Sequence, residues 1–128
     1  MKTDIKLPPN DMEAEECVLG AILLGGWDTY DAVSAIIQDD EAFYDHLTKH
    51  TWRAMGRLRR AEQVIEPLTL LNETKKKNNA VTAYWMTGLP EKVVGAAMAK
   101  QHAKMVWEKF VQRQVGKTAY KLYNASFS

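Results

Sequence analysis

A single cysteine, only four prolines and a formal net charge of +1 narrow what this 128-residue sequence can be. One thiol excludes an internal disulfide framework. Cys17 falls on an apolar helical stripe and reads as a buried core thiol rather than a reactive one, which fits a reducing compartment. Seventeen basic residues against sixteen acidic ones predict no general affinity for nucleic acid or anionic membrane, although local patches can still form. The longest apolar run, residues 18–24, is far short of the roughly 20 residues a membrane helix needs. The opening MKTDIKLPPND lacks the apolar core of a signal peptide. Alternating strand patterns, internal repeats and low-complexity stretches beyond KKKNN are missing too. The expectation is one soluble, intracellular, all-α domain, large enough for a real core and too small for a two-domain enzyme.

What is present is organised around residues 7–24, LPPNDMEAEECVLGAILL. Pro8 and Pro9 favour an extended entry, and Asn10 three residues before Glu13 has capping-box spacing. Glu13, Glu15 and Glu16 then sit where the positive end of a helix dipole favours carboxylates. Cys17, Val18, Ala21, Ile22 and Leu24 recur at helical spacing, and Leu19 and Leu23 widen the stripe until the helix must be covered nearly all round. Gly20 inside it predicts close approach of a neighbouring helix.

Four more short helices follow. The first is residues 27–37, with Trp27, Tyr30, Val33 or Ser34 and Ile37 on one face and Asp28 as cap. A longer one runs from an Asp45 cap to about residue 62, with Leu47, Thr51, Ala54, Met55 and Leu58 inward, Trp52 at the border, and Lys49, Arg53, Arg57 and Arg60 on another side. Pro67 opens the next, with Leu68, Leu71 and Leu70 inward. The last, residues 81–87, is anchored by Tyr84 and Trp85. From about residue 93 to 124 no proline or turn cluster interrupts, which predicts one helix of roughly 45 Å. Its one face is Ala99, Ala103, Val106, Trp107, Phe110, Val111, Val115 and Leu122. Met98, Met105, Gly116, Tyr120 and Tyr123 fall roughly opposite, and a head of five short helices can cover only part of such a length. The implied division is an extended segment over residues 1–10, a helical head over 11–92 and a long-helix arm over 93–128.

Several chemical motifs fail on inspection. Gly116-Lys117-Thr118 resembles the tail of a phosphate-binding loop, but Val111 stands where that motif needs a glycine. His46 and His50 are one turn apart without a cysteine or carboxylate to complete a metal site, so they read as surface or cap histidines. Asp39, Asp40, Glu41 and Asp45 lack the glycine and spacing of a calcium loop. No serine, histidine and acid combination offers a catalytic centre. The stripe Lys49, Arg53, Arg57 and Arg60 has the spacing to follow phosphates, with a solvated face as the competing reading.

The order of these features resembles the N-terminal domain of DnaB-family replicative helicases. The specific part is the opening PP-x-x-x-EAE-x-x-VLG-x-x-L, met by Pro8, Pro9, Glu13, Ala14, Glu15, Val18, Leu19, Gly20 and Leu23. Phe43-Tyr44 fit the aromatic pair before the third helix, with His50, Trp52 and Leu58 at similar spacing; Ile65, Glu66, Thr69 and Leu70 fit a V-D-x-x-TL segment with glutamate for aspartate; Tyr84 fits the fifth helix. Ala80-Val81 replace a common glycine pair, and aromatic and methionine residues replace the usual charge-rich arm. The resemblance implies a helical head followed by a two-helix hairpin, domains that pair through their hairpins into a collar above an ATPase ring, and docking surface for primase and loader.

On this reading the chain is a non-catalytic interaction domain holding the first hairpin arm. It pairs with itself, as a dimer or within a hexamer, and binds no cofactor; ATP and Mg belong to an absent motor, and DNA is reached only through the parent assembly. The uncovered stripe Met98, Met105, Gly116, Tyr120 and Tyr123 would meet the missing arm or a second subunit. The expected compartment is the cytoplasm of a bacterium or phage-infected bacterium. The alternatives are the helicase-binding domain of a primase and a free-standing regulator that imitates the helicase domain.

Overall fold

A computed structural model describes residues 7–128; the first six residues of the expected extended segment lie outside the described residues. Among the described residues the fold is all-α, with five short helices forming a head and one long helix leaving it. Helix α1 (Met12–Gly25) is the centre, touching the long helix, α2 and α3, so the apolar character of residues 17–23 is matched by cover on several sides. Val18, Leu19, Ala21 and Ile22 are fully buried, and each large aliphatic side chain so removed from water stabilises the head by about 1.5–3 kcal/mol.

The start of α1 differs from expectation. Asp11, not Asn10, is the cap: its carboxylate accepts the Ala14 amide at 2.9 Å, while the Asn10 Nδ2 donates back to the Pro8 carbonyl at 2.9 Å. The double proline thus places its following residue outside the first turn. At the other end Gly26, at φ +76°, reverses the chain in one residue and leads straight into α2 (Trp27–Ser34). Gly26 occupies the cap position there, so Asp28 lies within the first turn and does not cap. Helix α2 is shorter than its apolar spacing suggests because the Ile36 and Ile37 amides turn back to the Val33 carbonyl, at 2.9 and 2.8 Å, yet Ile37 is still delivered to the core.

A single 3-10 turn (Asp40–Ala42) precedes α3 (His46–Arg60), which Asp45 caps through the Leu47 and Thr48 amides at 3.0 and 3.3 Å. Trp52 is buried rather than at the border, its indole N–H donating to Asp40 at 3.0 Å. Helix α4 (Pro67–Lys75) is capped by Glu66 and packs on α3 through Leu70, Leu71 and Thr74; Leu68, expected inward, is exposed because the proline start sets the register two residues later. In α5 (Ala83–Gly88) Trp85 is an anchor as expected, packed against the core with its indole N–H donating to Glu16 at 3.0 Å, and Val81 and Met86 are buried beside it, whereas Tyr84, also expected as an anchor, is 90% exposed.

The long helix, α6 (Ala99–Ala125), begins six residues later than the uninterrupted reading placed it. A 3-10 turn (Pro90–Lys92) and an irregular stretch over residues 93–98 intervene. The cause lies in α1: a Cβ at Gly20 would overlap the Leu89 carbonyl, so the backbone at Leu89–Pro90 is seated directly on that glycine, and the chain must leave this contact before a helix can start. Two β-branched residues and Gly95 in the stretch are themselves weak helix formers. The close approach at Gly20 is therefore real, but the partner is a loop carbonyl rather than a helix. At 1.5 Å per residue α6 is about 40 Å long.

Candidate interaction site

Ala99, Ala103, Val106 and Phe110 bury one side of α6 against the head, and the next residue in that register is Arg113. Arg113 is 8% exposed. Its guanidinium donates to three backbone carbonyls, Pro9 at 2.9 Å, Glu41 at 2.9 Å and Ala42 at 3.0 Å, and lies over the rings of Tyr44 and Phe110. It ties together the entry to α1, the 3-10 turn before α3 and the long helix. Every residue after Arg113 is exposed.

Beneath it sits a second buried charge. Glu15 is 1% exposed and accepts from the Tyr44 amide at 3.0 Å, the Asp45 amide at 3.2 Å and the Thr48 hydroxyl at 2.6 Å. Burial pushes its carboxyl above the usual carboxylate range, against the opposing pull of those hydrogen bonds and of Arg113. Spacing at the helix start suggested only a dipole role for Glu15; the structure makes it the link between α1 and the start of α3. Both Glu15 and Arg113 stand in register with buried apolar positions of their helices, and for Arg113 that register was the available signal.

From Val111 onward the arm presents two apolar sides. Val111, Val115 and Leu122, with Thr118 and Ala119 between them, form one shallow apolar surface. Gly116, Tyr120 and Tyr123 lie on another side, extended by Phe127, whose ring meets Tyr123 edge to face at 5.1 Å. Gly116 and Tyr120 also face the head across a cleft of about 780 Å³ that includes Pro8, Pro9, Tyr44 and Phe110. Nothing lies within 4 Å of where a Gly116 Cβ would be. The remaining members of the predicted stripe are placed differently. Met98 is exposed at the cap position of α6, remote in sequence from the distal side chains, and Met105 packs against the core.

On the basic stripe of α3, Lys49 pairs with Glu41 at 2.8 Å, Arg53 with Asp40 and Glu41 at 3.4 and 3.1 Å, and Arg57 with Glu73 at 2.9 Å. Arg60 has no ion-pair partner among the described residues. The carboxylates of the polar break and of α4 thus cover most of the stripe. His46 and His50 gain no third metal-ligating side chain, and no such group of three exists among the described residues.

These elements define a helical head with a projecting arm, a module whose uncovered surface is concentrated on one helix. The chain belongs to the family described as DnaB-like helicase N terminal domain, whose model matches residues 7–108. A curated relative, the replicative DNA helicase DnaB of Rhodothermus marinus, is 29% identical over 115 residues, covering 86% of this chain and 12% of that protein. The chain therefore spans about an eighth of that relative's length. The crystal structure of the N-terminal domain of DnaB helicase from Mycobacterium tuberculosis superposes with a TM-score of 0.82 at 23% identity, over 95% of this chain and 85% of that one, which establishes the shared fold.

Proposed function

We propose that this chain is the interaction domain of a replicative DNA helicase, pairing with further copies through α6 and offering docking surface to primase or loader. The observation that carries the reading is the arm beyond Arg113, where two apolar sides of one helix have no cover within the described residues. Side chains such as Val115, Leu122, Tyr120 and Tyr123, each more than 60% exposed, form continuous apolar surface of the kind that marks protein interfaces. The family assignment and the name of the Rhodothermus relative supply the setting. The reading gives these residues assembly and docking; ATP hydrolysis, Mg binding and unwinding are assigned to a motor region of a longer protein, working in the cytoplasm of a bacterium or an infected bacterium.

The test is the solution mass of the chain by light scattering across a concentration series. The expected result is a dimer or larger closed assembly that dissociates in Val115→Glu or Tyr120→Glu, with the helical signal of the head retained. Met105 is unsuitable for this purpose because it packs on the core. A monomer at every concentration, or an assembly indifferent to both substitutions, overturns self-association through the arm. Docking is checked separately by surface-immobilised chain exposed to purified primase and loader.

A further inference from the structure

Arg53, Arg57 and Arg60, three successive turns of α3, line a pocket of about 240 Å³ together with Tyr30, Trp52, Gly56 and Asp40. We propose that this pocket binds a phosphate group, held by the three guanidiniums and the Tyr30 hydroxyl. The pocket has room for a phosphate group, which takes only a few times the roughly 30 Å³ that a water molecule occupies in the liquid.

Two of the guanidiniums are fixed in place without being used up. Arg57 spends its Nε and Nη2 on the Glu73 side chain and carbonyl, and Arg53 spends the same two groups on Asp40 and Glu41, which leaves Nη1 of each uncommitted. Such pairing removes side-chain freedom before a ligand arrives. Arg60 is different: none of its five N–H donors has a protein acceptor among the described residues. Gly56 explains where it lies. A Cβ at that position would come within 3.2 Å of an Arg60 Nη and 3.3 Å of the Tyr30 hydroxyl oxygen, so the missing side chain lets guanidinium and phenol share the surface of the helix. The Tyr30 ring is held against Trp52, with centroids 5.0 Å apart, and its hydroxyl too lacks a protein partner among the described residues. Burial raises the Tyr30 pKa, so the group remains a donor at neutral pH.

Charge allows the assignment but tempers it. Asp40 sits on the rim, accepting from Trp52 and Arg53. Among the residues lining the pocket, Arg53, Arg57 and Arg60 nonetheless outnumber the one carboxylate, Asp40, by two. N–H groups from three separate side chains and one O–H suit a tetrahedral dianion better than a planar carboxylate, which is satisfied by one guanidinium fork. Lys49, on the same stripe, does not line the pocket.

Amide and arginine side-chain NMR spectra recorded during titration with inorganic phosphate test this, with sodium chloride and acetate at matched ionic strength as controls. The expected result is saturable shifts at Tyr30, Gly56 and Arg60. Affinity should fall about tenfold or more in Arg60→Gln and stay unchanged in Arg59→Gln, because Arg59 pairs with Asp31 outside the pocket. No saturation, an equal response to acetate, or unaltered binding in Arg60→Gln overturns the proposal. Where phosphate binds, parallel titrations with a nucleoside monophosphate and with short DNA carrying or lacking a 5′-phosphate assign the source. Tighter binding of the 5′-phosphorylated strand points to a DNA end, and binding of the small phosphates alone points to a free nucleotide.

Discussion

Replacing Arg113 by alanine removes a side chain that joins the long helix to two separate parts of the head. Three hydrogen bonds from a charged donor are lost, to the carbonyls of Pro9, Glu41 and Ala42, and the Ala42 carbonyl is left in a buried residue with no guanidinium to meet it. Hydrogen bonds to charged groups contribute about 1.5–3 kcal/mol each when measured singly. Their sum overstates the effect, because burying the guanidinium itself costs free energy that alanine does not incur. The variant also leaves Glu15 without its nearest attractive charge, in a site where burial already disfavours the carboxylate. A net loss of about 3 kcal/mol is therefore expected, equivalent to roughly 10 °C in melting temperature for a domain of this size.

The assay is urea denaturation followed by helical circular dichroism, comparing midpoints at constant slope. Arg113→Lys should recover less than half of the loss, because an ammonium offers a point charge where three carbonyls meet a planar fork. Lys121→Ala, on the exposed arm, should stay within about 0.5 kcal/mol of the parent. A loss below about 1 kcal/mol for Arg113→Ala would mean that the carbonyls find water or each other at little cost, and the latch assigned to Arg113 would have to be abandoned.

Two further outcomes follow from contacts within the head. Gly20→Ala adds a methyl that must displace the Leu89 backbone, whose carbonyl carbon would lie 2.8 Å away, so the roughly 1 kcal/mol gained in helix propensity should be outweighed and the variant should unfold at lower urea; equal or higher stability refutes the seat at Gly20. The folded protein holds Glu15 above its ordinary value of 4.5, so the stability linked to its proton is complete below that pH and is lost as pH rises through the folded value. Glu41, held down first by its hydrogen bond from Lys49, and Glu73, held down first by Arg57, behave oppositely and lose their contribution as pH falls. The stability gap between parent and Glu15→Gln should accordingly narrow from pH 4.5 to pH 7, and a constant or widening gap in paired urea titrations counts against the assignment.

Much of the head was legible because it rests on local signals. Asp45 and Pro67 mark helix starts through chemistry confined to one turn, and the buried positions Val18, Leu19, Ile22, Met55 and Val106 follow from helical spacing. The errors arose where a distant segment decides. Leu68 and Tyr84 look like core residues in isolation, but Leu70 and Met86, each two positions later, are the ones α3 and the head receive. The start of α6 depends on a carbonyl resting on a glycine 69 positions earlier, which no window along the chain can register. Met105 was assigned outward from a single-face view of α6, yet α1 and α2 both pack on that helix and wrap more of its circumference than one stripe.

Glu15 and Arg113 expose a more general limit, since each occupies an apolar register position whose polarity is tolerable only through partners from elsewhere. Glu15 needs the amides of Tyr44 and Asp45, and Arg113 needs carbonyls 71 to 104 residues away. The same two residues then locate the division of labour along α6. Before Arg113 one side of the helix is part of the core; after it, a stretch containing the weak helix formers Gly116 and Thr118 continues the same helix without cover among the described residues. Covering its exposed aliphatic and aromatic sides would remove apolar surface from water and stabilise the helix in the same step. The buried arginine fixes where the arm leaves the head, and the exposed sides beyond it are where such cover would act.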